Sequence, residues 1–157
     1  MSKSTRATLA LAKAGVAFET VTYDYDPDAD RIGLQAAEAI GAPASIVLKT
    51  LMAEVDGKPV CVVLPSDEEV SMKKLASAFK GKSANMMKPA QAEKTTGFVV
   101  GGISPFGQKK QVPTVFEEQA LVHTLVYMNG GQRGLQVKLA PQDAIEAANG
   151  FAASVIA

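Results

Sequence analysis

The sequence predicts an α/β domain of the α+β type, with a mixed and largely antiparallel sheet or a partly closed barrel surrounded by helices. Three observations carry this expectation. Candidate strands come partly as direct hairpins and partly separated by helical segments, which argues against a doubly wound parallel sheet. No repeat, low-complexity tract or Ser/Pro-rich linker interrupts the chain, so residues 1–157 read as a single domain. With 47% hydrophobic and 20% charged residues, a chain of 157 residues buries a core without disulfide or metal staples.

The elements follow in order. Ser4 or Thr5 caps a helix running to about Ala14, and Gly15 takes the left-handed position after its last turn. Phe18–Tyr23 reads as a strand, Asp24–Asp30 as an acidic loop containing Pro27, and Gly33–Ile40 as a helix stopped by Gly41 and Pro43. Ile46–Val55 and Lys58–Leu64 form a hairpin about Asp56-Gly57, the dipeptide that suits a type I′ turn. Ser71 caps a helix bearing Met72, Leu75 and Phe79, and Lys88-Pro89 opens another. Strands are expected at Phe98–Val100, Thr114–Phe116, Leu121–Met128 and Leu135–Leu139, and a last helix from Pro141 to near Asn149-Gly150.

Composition excludes several chemistries. With Cys61 as the one cysteine and His123 as the one histidine there is no disulfide and no zinc-finger cluster. No Gly-x-Ser-x-Gly elbow, P-loop or dinucleotide fingerprint occurs. The alternating Asp24, Asp26, Asp28 and Asp30 lack the Gly and Glu a calcium loop needs, since those places hold Ala29 and Gln35. Cys61 lies in an apolar run and reads as a small buried hydrophobe, and His123 as a structural strand residue. Apolar runs are too short to span a bilayer and no secretory leader is recognisable, so the chain is expected in the cytoplasm, away from membranes.

Formal net charge is zero, yet between Lys73 and Lys110 eight lysines face one acid, Glu93, a local excess of +7. Such a stretch either is a solvated helix face or meets a few phosphates.

Two features resist elimination. Lys49 sits in Ile46-Val-Leu-Lys-Thr-Leu-Met52, a lysine in mid-strand among apolar residues. It either guards a sheet edge or stands at the mouth of a cavity and engages an anion. Alternation puts it on the face of Val47 and Leu51, with Thr50 pointing the other way. The second is Gly101–Gly107, whose adjacent glycines and Pro105 make either a plain turn or a loop whose amides aim at an oxyanion. A cation for a phosphate and a backbone site for a carbonyl suit an ester flanked by phosphate, as in aminoacyl-tRNA.

Val47-Leu-Lys-Thr-Leu51, Gly97-Phe-Val-Val-Gly-Gly-Ile-Ser-Pro-Phe-Gly-Gln-Lys-Lys110, Gly130-Gly-Gln-Arg-Gly134 and Ala140-Pro-Gln-Asp143, with Thr22-Tyr-Asp-Tyr-Asp-Pro27, resemble in this order the YbaK family of free-standing aminoacyl-tRNA editing proteins. The pattern is most similar to the branch that deacylates cysteine mischarged on proline tRNA. The resemblance implies a YbaK-like fold with a deep pocket that takes the 3′ end of proline tRNA, no cofactor and no metal, and a prolyl-tRNA synthetase as a further partner. It implies that Lys49 positions the 3′-terminal adenosine and its phosphate, with Thr50 beside it. It also implies that the loop Gly101-Gly102-Ile103-Ser104-Pro105 turns its backbone amides to the aminoacyl carbonyl, Pro105 itself having no N–H to give. Tyr23, Ile32, Gly102, Ser104 and Asp143 fall where relatives line the pocket or orient the substrate. Ile32 stands where relatives often carry Phe and Gln136 where some carry Ser, so alanine stays open beside cysteine as the amino acid removed. A non-catalytic binder of tRNA ends or of a synthetase, and a small-molecule binding domain, are the alternatives from other classes.

Overall fold

The chain builds two sheets that face each other across a shared apolar core. The computed structural model describes residues 4–26 and 32–157, the side chains of Ile32 and Gly33 excepted. Residues 27–30 of the expected acidic loop therefore lie outside the described residues.

Helix α1 (Arg6–Ala14) begins at Thr5, whose Oγ1 accepts from the Thr8 amide while Thr8 Oγ1 accepts from the Thr5 amide; Gly15 closes it at φ 74°. Ala7, Thr8 and Leu11 turn inward. Strand β1 (Glu19–Thr22) pairs with β7 (Leu135–Leu139), which pairs in turn with β6 (Val126–Asn129), giving an antiparallel sheet in the order β1-β7-β6.

The larger sheet has the order β4 (Ala84–Met86), β2 (Leu48–Val55), β3 (Lys58–Pro65), β5 (Thr114–Glu117), β8 (Phe151–Ala153). Strands β2 (Leu48–Val55) and β3 (Lys58–Pro65) are the expected hairpin, with Asp56 at φ 51° and Gly57 at φ 80°, the two positive values a type I′ turn demands. The continuous apolar run of β3 is explained by its central place. Cys61 and Val63 enter the core shared with the smaller sheet, and Val60, Val62 and Leu64 pack on the opposite face against Leu75 of α3 (Met72–Ala78). Strand β5 (Thr114–Glu117) runs parallel to β3, and β8 (Phe151–Ala153) parallel to β5. The larger sheet is thus mixed, two pairings of each kind, and with the smaller sheet counted four of six pairings are antiparallel, in keeping with the expectation; a parallel bridge between Val47 and Tyr127 joins the two sheets without closing a barrel.

Helices α2 (Ile32–Ile40), α4 (Pro89–Thr96) and α5 (Pro141–Ala147) complete the described elements. Among the described residues no helix is long and apolar enough to cross a membrane.

Three expectations are corrected. Phe98–Val100 is not a strand, because α4 takes its amides: Phe98 N donates to Thr96 Oγ1 and Val100 N to Glu93 Oε2. Leu121–Met128 divides into a 3₁₀ turn, Glu118–Val122, and β6, so His123 ends a turn instead of lying in a strand. Strands β4 (Ala84–Met86) and β8 carry too few β-branched residues to be seen from sequence; β4 is set by the Asp56 carboxylate, which accepts from the Lys82 and Ser83 amides just before it.

Helix α1 rests directly on the glycine loop. Gly107 has φ 68°, and a Cβ there would overlap the Arg6 carbonyl. Gly107→Ala is expected to lower stability by at least about 1 kcal/mol, since strain and backbone collision add; an unchanged urea midpoint contradicts this contact.

Candidate functional site

Between the two sheets lies a cavity of about 440 Å³. Register explains which polar groups reach it. Gln136 of β7 lies opposite Val21 of β1 and opposite Asn129 of β6, and Tyr23 follows two residues after Val21, so Tyr23, Gln136 and Asn129 share one face of the smaller sheet. From the larger sheet Thr50 points inward with Leu48 and Met52, opposite Val63. Lys49 leaves β2 on the other side, as alternation predicts, yet it too lines the cavity. Strand β4 covers β2 only along Ala53–Val55, so the cavity opens around the bare edge beside Lys49. Lys49 Nζ donates to Ser66 O at 3.4 Å.

Three buried polar atoms on this wall have no hydrogen-bond partner: Tyr23 Oη, Thr50 Oγ1 and Gln136 Oε1. Leaving such a group unpaired costs on the order of 1–3 kcal/mol, and three in one cavity mark a place built for a polar guest. Burial raises the Tyr23 phenol above its usual range, partly offset by the neighbouring Gln136 side chain, so it stays protonated at neutral pH.

The glycine loop forms another wall. Gly101 has φ 89°, and a Cβ on it would stand 2.5 Å from Tyr25 Oη. Asn129 Nδ2 donates to Gly101 O at 2.8 Å, while Arg133, stacked on the Tyr25 ring, donates through Nε to Val100 O at 2.9 Å. The loop is thus pinned by its carbonyls. The Gly102 amide is engaged with Val99 O at 2.8 Å; among the described residues the amides of Gly101 and Ile103 have no acceptor, and both residues line the cavity.

Of the residues singled out from sequence, Lys49, Thr50, Tyr23, Gly101 and Ile103 come together here. Gly102 lies behind the wall, pressed against Arg133 and Gln132 backbone. Ser104 and Pro105 are buried beneath the loop: Ser104 Oγ accepts from the Phe106 amide, Ser104 O from Gln108 Nε2 and Pro105 O from Gln111 Nε2. Asp143 sits in the first turn of α5, which packs on α1 and the 3₁₀ turn, and does not line the cavity. The side chain of Ile32 lies outside the described residues. Missed from sequence were Asn129 and Gln108, whose amides hold the loop at its two ends; the only signal was that both fall inside glycine-rich segments.

Among the described residues neither thiol nor imidazole lines the cavity. Cys61 is fully buried and its thiol is pushed up to about 12 by desolvation, against a smaller lowering by Gln108 and Thr114. Among the described residues no Asp, Glu, His or Cys lines the wall, His123 included.

Residues 26–147 match the aminoacyl-tRNA editing domain family. A protein of Enterococcus faecalis, EbsC, named as a candidate Cys-tRNA(Pro)/Cys-tRNA(Cys) deacylase, is 35% identical over 136 residues, covering 85% of this chain and 82% of that protein. The proline–tRNA ligase of Acidithiobacillus ferrooxidans is 30% identical over 87 residues, 55% of this chain but 15% of the ligase. A crystal structure described as a candidate trans-editing enzyme for prolyl tRNA synthetase superposes with a TM-score of 0.84 over 99% of both chains at 21% identity.

Two predictions follow from the geometry. Thr50→Val and Gln136→Met remove unpaired buried atoms with little change of shape, so each should leave stability unchanged or raise it by up to about 1 kcal/mol while weakening function; a clear loss of Tm shows that these atoms are satisfied in the free protein. For Cys61, the unfolded chain releases the proton near pH 9 and the folded protein only near 12, so stability from this group is intact below pH 9 and falls as pH rises toward 12. Cys61→Ala should flatten the stability profile between those values, measured by chemical denaturation.

Proposed function

The chain belongs to the aminoacyl-tRNA editing domain family, and from that premise we propose that it is a trans-editing deacylase that removes cysteine mischarged onto proline tRNA, acting in the cytoplasm and in company with a prolyl-tRNA synthetase. The carrying observation is the cavity wall, which holds Lys49 and three unpartnered polar atoms and, among the described residues, no carboxylate, imidazole or thiol.

Such a wall favours a reaction whose nucleophile comes from outside the protein. In the reading favoured here the substrate's own thiolate attacks its ester carbonyl carbon, the bond to the ribose oxygen breaks, and the products are a cyclic thioester and tRNA with a free 3′ hydroxyl, which takes up a proton. The amides of Gly101 and Ile103 stabilise the oxyanion formed on the way, while Thr50, Tyr23 and Gln136 orient the aminoacyl group. Lys49 holds the terminal phosphate at the open edge of β2. Positioning of this kind is worth up to about 7–11 kcal/mol in well-oriented intramolecular reactions. The thioethers of Met52, Met86 and Met87 line the apolar side and offer a soft, polarisable surface to a sulfur-bearing side chain. Water attack assisted by the neighbouring ribose hydroxyl is the route for an alanyl ester, which lacks a thiol.

The test is deacylation of cysteinyl and alanyl proline tRNA at catalytic protein concentration. Cysteine should be released rapidly and alanine slowly. Lys49→Ala should lower kcat/KM by about 100-fold or more with Tm unchanged, and Cys61→Ala should be nearly silent. Full activity of Lys49→Ala refutes the assignment, and preferential loss of alanine moves the amino-acid specificity. Binding of charged tRNA without turnover leaves a binding module.

A further inference from the structure

The fold separates the lysine-rich stretch into two groups. Lys73 and Lys74 lie on α3 and Lys82 beside the β2–β3 turn, where the Lys74 ammonium donates to Ile156 O and the Asp56 carboxylate is close to Lys82. Lys94, Lys109 and Lys110 instead gather at the end of α4, because the Lys109 and Lys110 amides donate to Thr96 O and Thr95 O. Helix α1 adds Arg6 and Lys13: Lys109 shares a groove with both, and a Cβ on Gly97 would meet the Arg6 guanidinium at 2.8 Å and Lys109 Cβ at 3.2 Å. All five cations are exposed, none forms an ion pair among the described residues, and neither groove has an acidic lining residue. Glu93, on the same helix as Lys94, accepts from the Val100 amide and lines neither groove.

Five like charges gathered without a counter-charge repel one another, and an anion relieves that repulsion. Location selects the anion. Helix α4 turns Pro89 and Ala92 to the cavity and Ala90, Gln91, Lys94 and Thr95 to the basic groove, so the two sites stand back to back across one helix, about 10 Å. Every nucleotide of a strand carries a phosphate, so a strand whose 3′ end enters the cavity brings phosphates to the far side of α4 within a few nucleotides.

We propose that Lys94, Lys109 and Lys110, with Arg6 and Lys13, form the docking surface for the sugar–phosphate backbone of the tRNA whose 3′ end occupies the cavity. The choice of occupant rests on the deacylase reading; the surface itself is read through binding alone. A surface of this kind reads backbone and not bases, so it supplies affinity without selecting among tRNA sequences.

The experiment compares two charge-matched triple variants, Lys94→Ala/Lys109→Ala/Lys110→Ala and Lys73→Ala/Lys74→Ala/Lys82→Ala, for binding of uncharged proline tRNA between about 50 and 200 mM salt. The first variant should weaken binding at least tenfold at the low-salt end and reduce the slope of log affinity against log salt by about 2–3; the second should match the parent protein. In deacylation the first variant should show a raised KM and an unchanged kcat. Equal losses in both variants, an unaltered slope in the first, or no salt-dependent tRNA binding by the parent protein overturns the surface. Slow or absent turnover by a parent protein that binds tRNA through this face refutes the deacylase reading and leaves the surface standing.

Discussion

The site depends on one constraint: the loop from Gly101 to Gly107 must be held against both sheets while leaving two of its amides unspent. Asn129 of the smaller sheet holds the Gly101 carbonyl, and Gln108 holds the Ser104 carbonyl while its other contacts are the sulfurs of Met52 and Cys61 on the larger sheet. Because the loop is gripped through its carbonyls, its amides are directed elsewhere. A loop pinned at its N–H groups would present oxygens to the cavity and repel an oxyanion. The glycines are needed for approach: Gly101 leaves space for Tyr25, Gly102 for the backbone at Arg133, and Gly107 for the first turn of α1. Helix α1 is thereby tied to the site, the more so because Thr5 Oγ1 donates to Gly130 O at 2.5 Å in the turn that carries Arg133.

Local chemistry made much of this legible in the sequence. The type I′ dipeptide, the Thr5, Ser71 and Lys88-Pro89 helix starts and the Gly15 stop depend on residues within a few positions of one another, and they fall where expected. What failed was whatever tertiary partners decide. Phe98-Val99-Val100 has the composition of a strand, but side chains on α4 take its amides first. The Leu121–Met128 run contains enough apolar and β-branched residues for a strand throughout, but its first part is spent in a turn over α5. Strand β8 is a strand because α5 delivers it to the free edge of β5, and nothing in Phe-Ala-Ala announces that.

The same division holds at the site. Lys49 was conspicuous because an ammonium in an apolar strand needs an explanation, and the bare edge of β2 provides it. Thr50 looked unremarkable until its hydroxyl was found buried without a partner, a fact no sequence displays. Gln136 is a polar residue on the inward face of a central strand, which a reading by alternation flags only when the strand's register is known. Asp143 was the opposite case. Its motif was recognisable, but the first turn of α5 faces away from the cavity.

A cavity whose lining, among the described residues, holds no carboxylate, imidazole or thiol acts chiefly by holding what enters it. Tyr23 Oη, Thr50 Oγ1 and Gln136 Oε1 have no partner among the described residues, so a guest that pairs with them adds hydrogen bonds to what its contact area supplies. On the proposed deacylase reading, the attacking nucleophile is then a group that the substrate brings with it or a water that the terminal ribose assists. Selectivity in such a site is on that reading chemical as well as steric: an amino acid with its own nucleophile leaves by that route, whereas one without it depends on the slower attack of water.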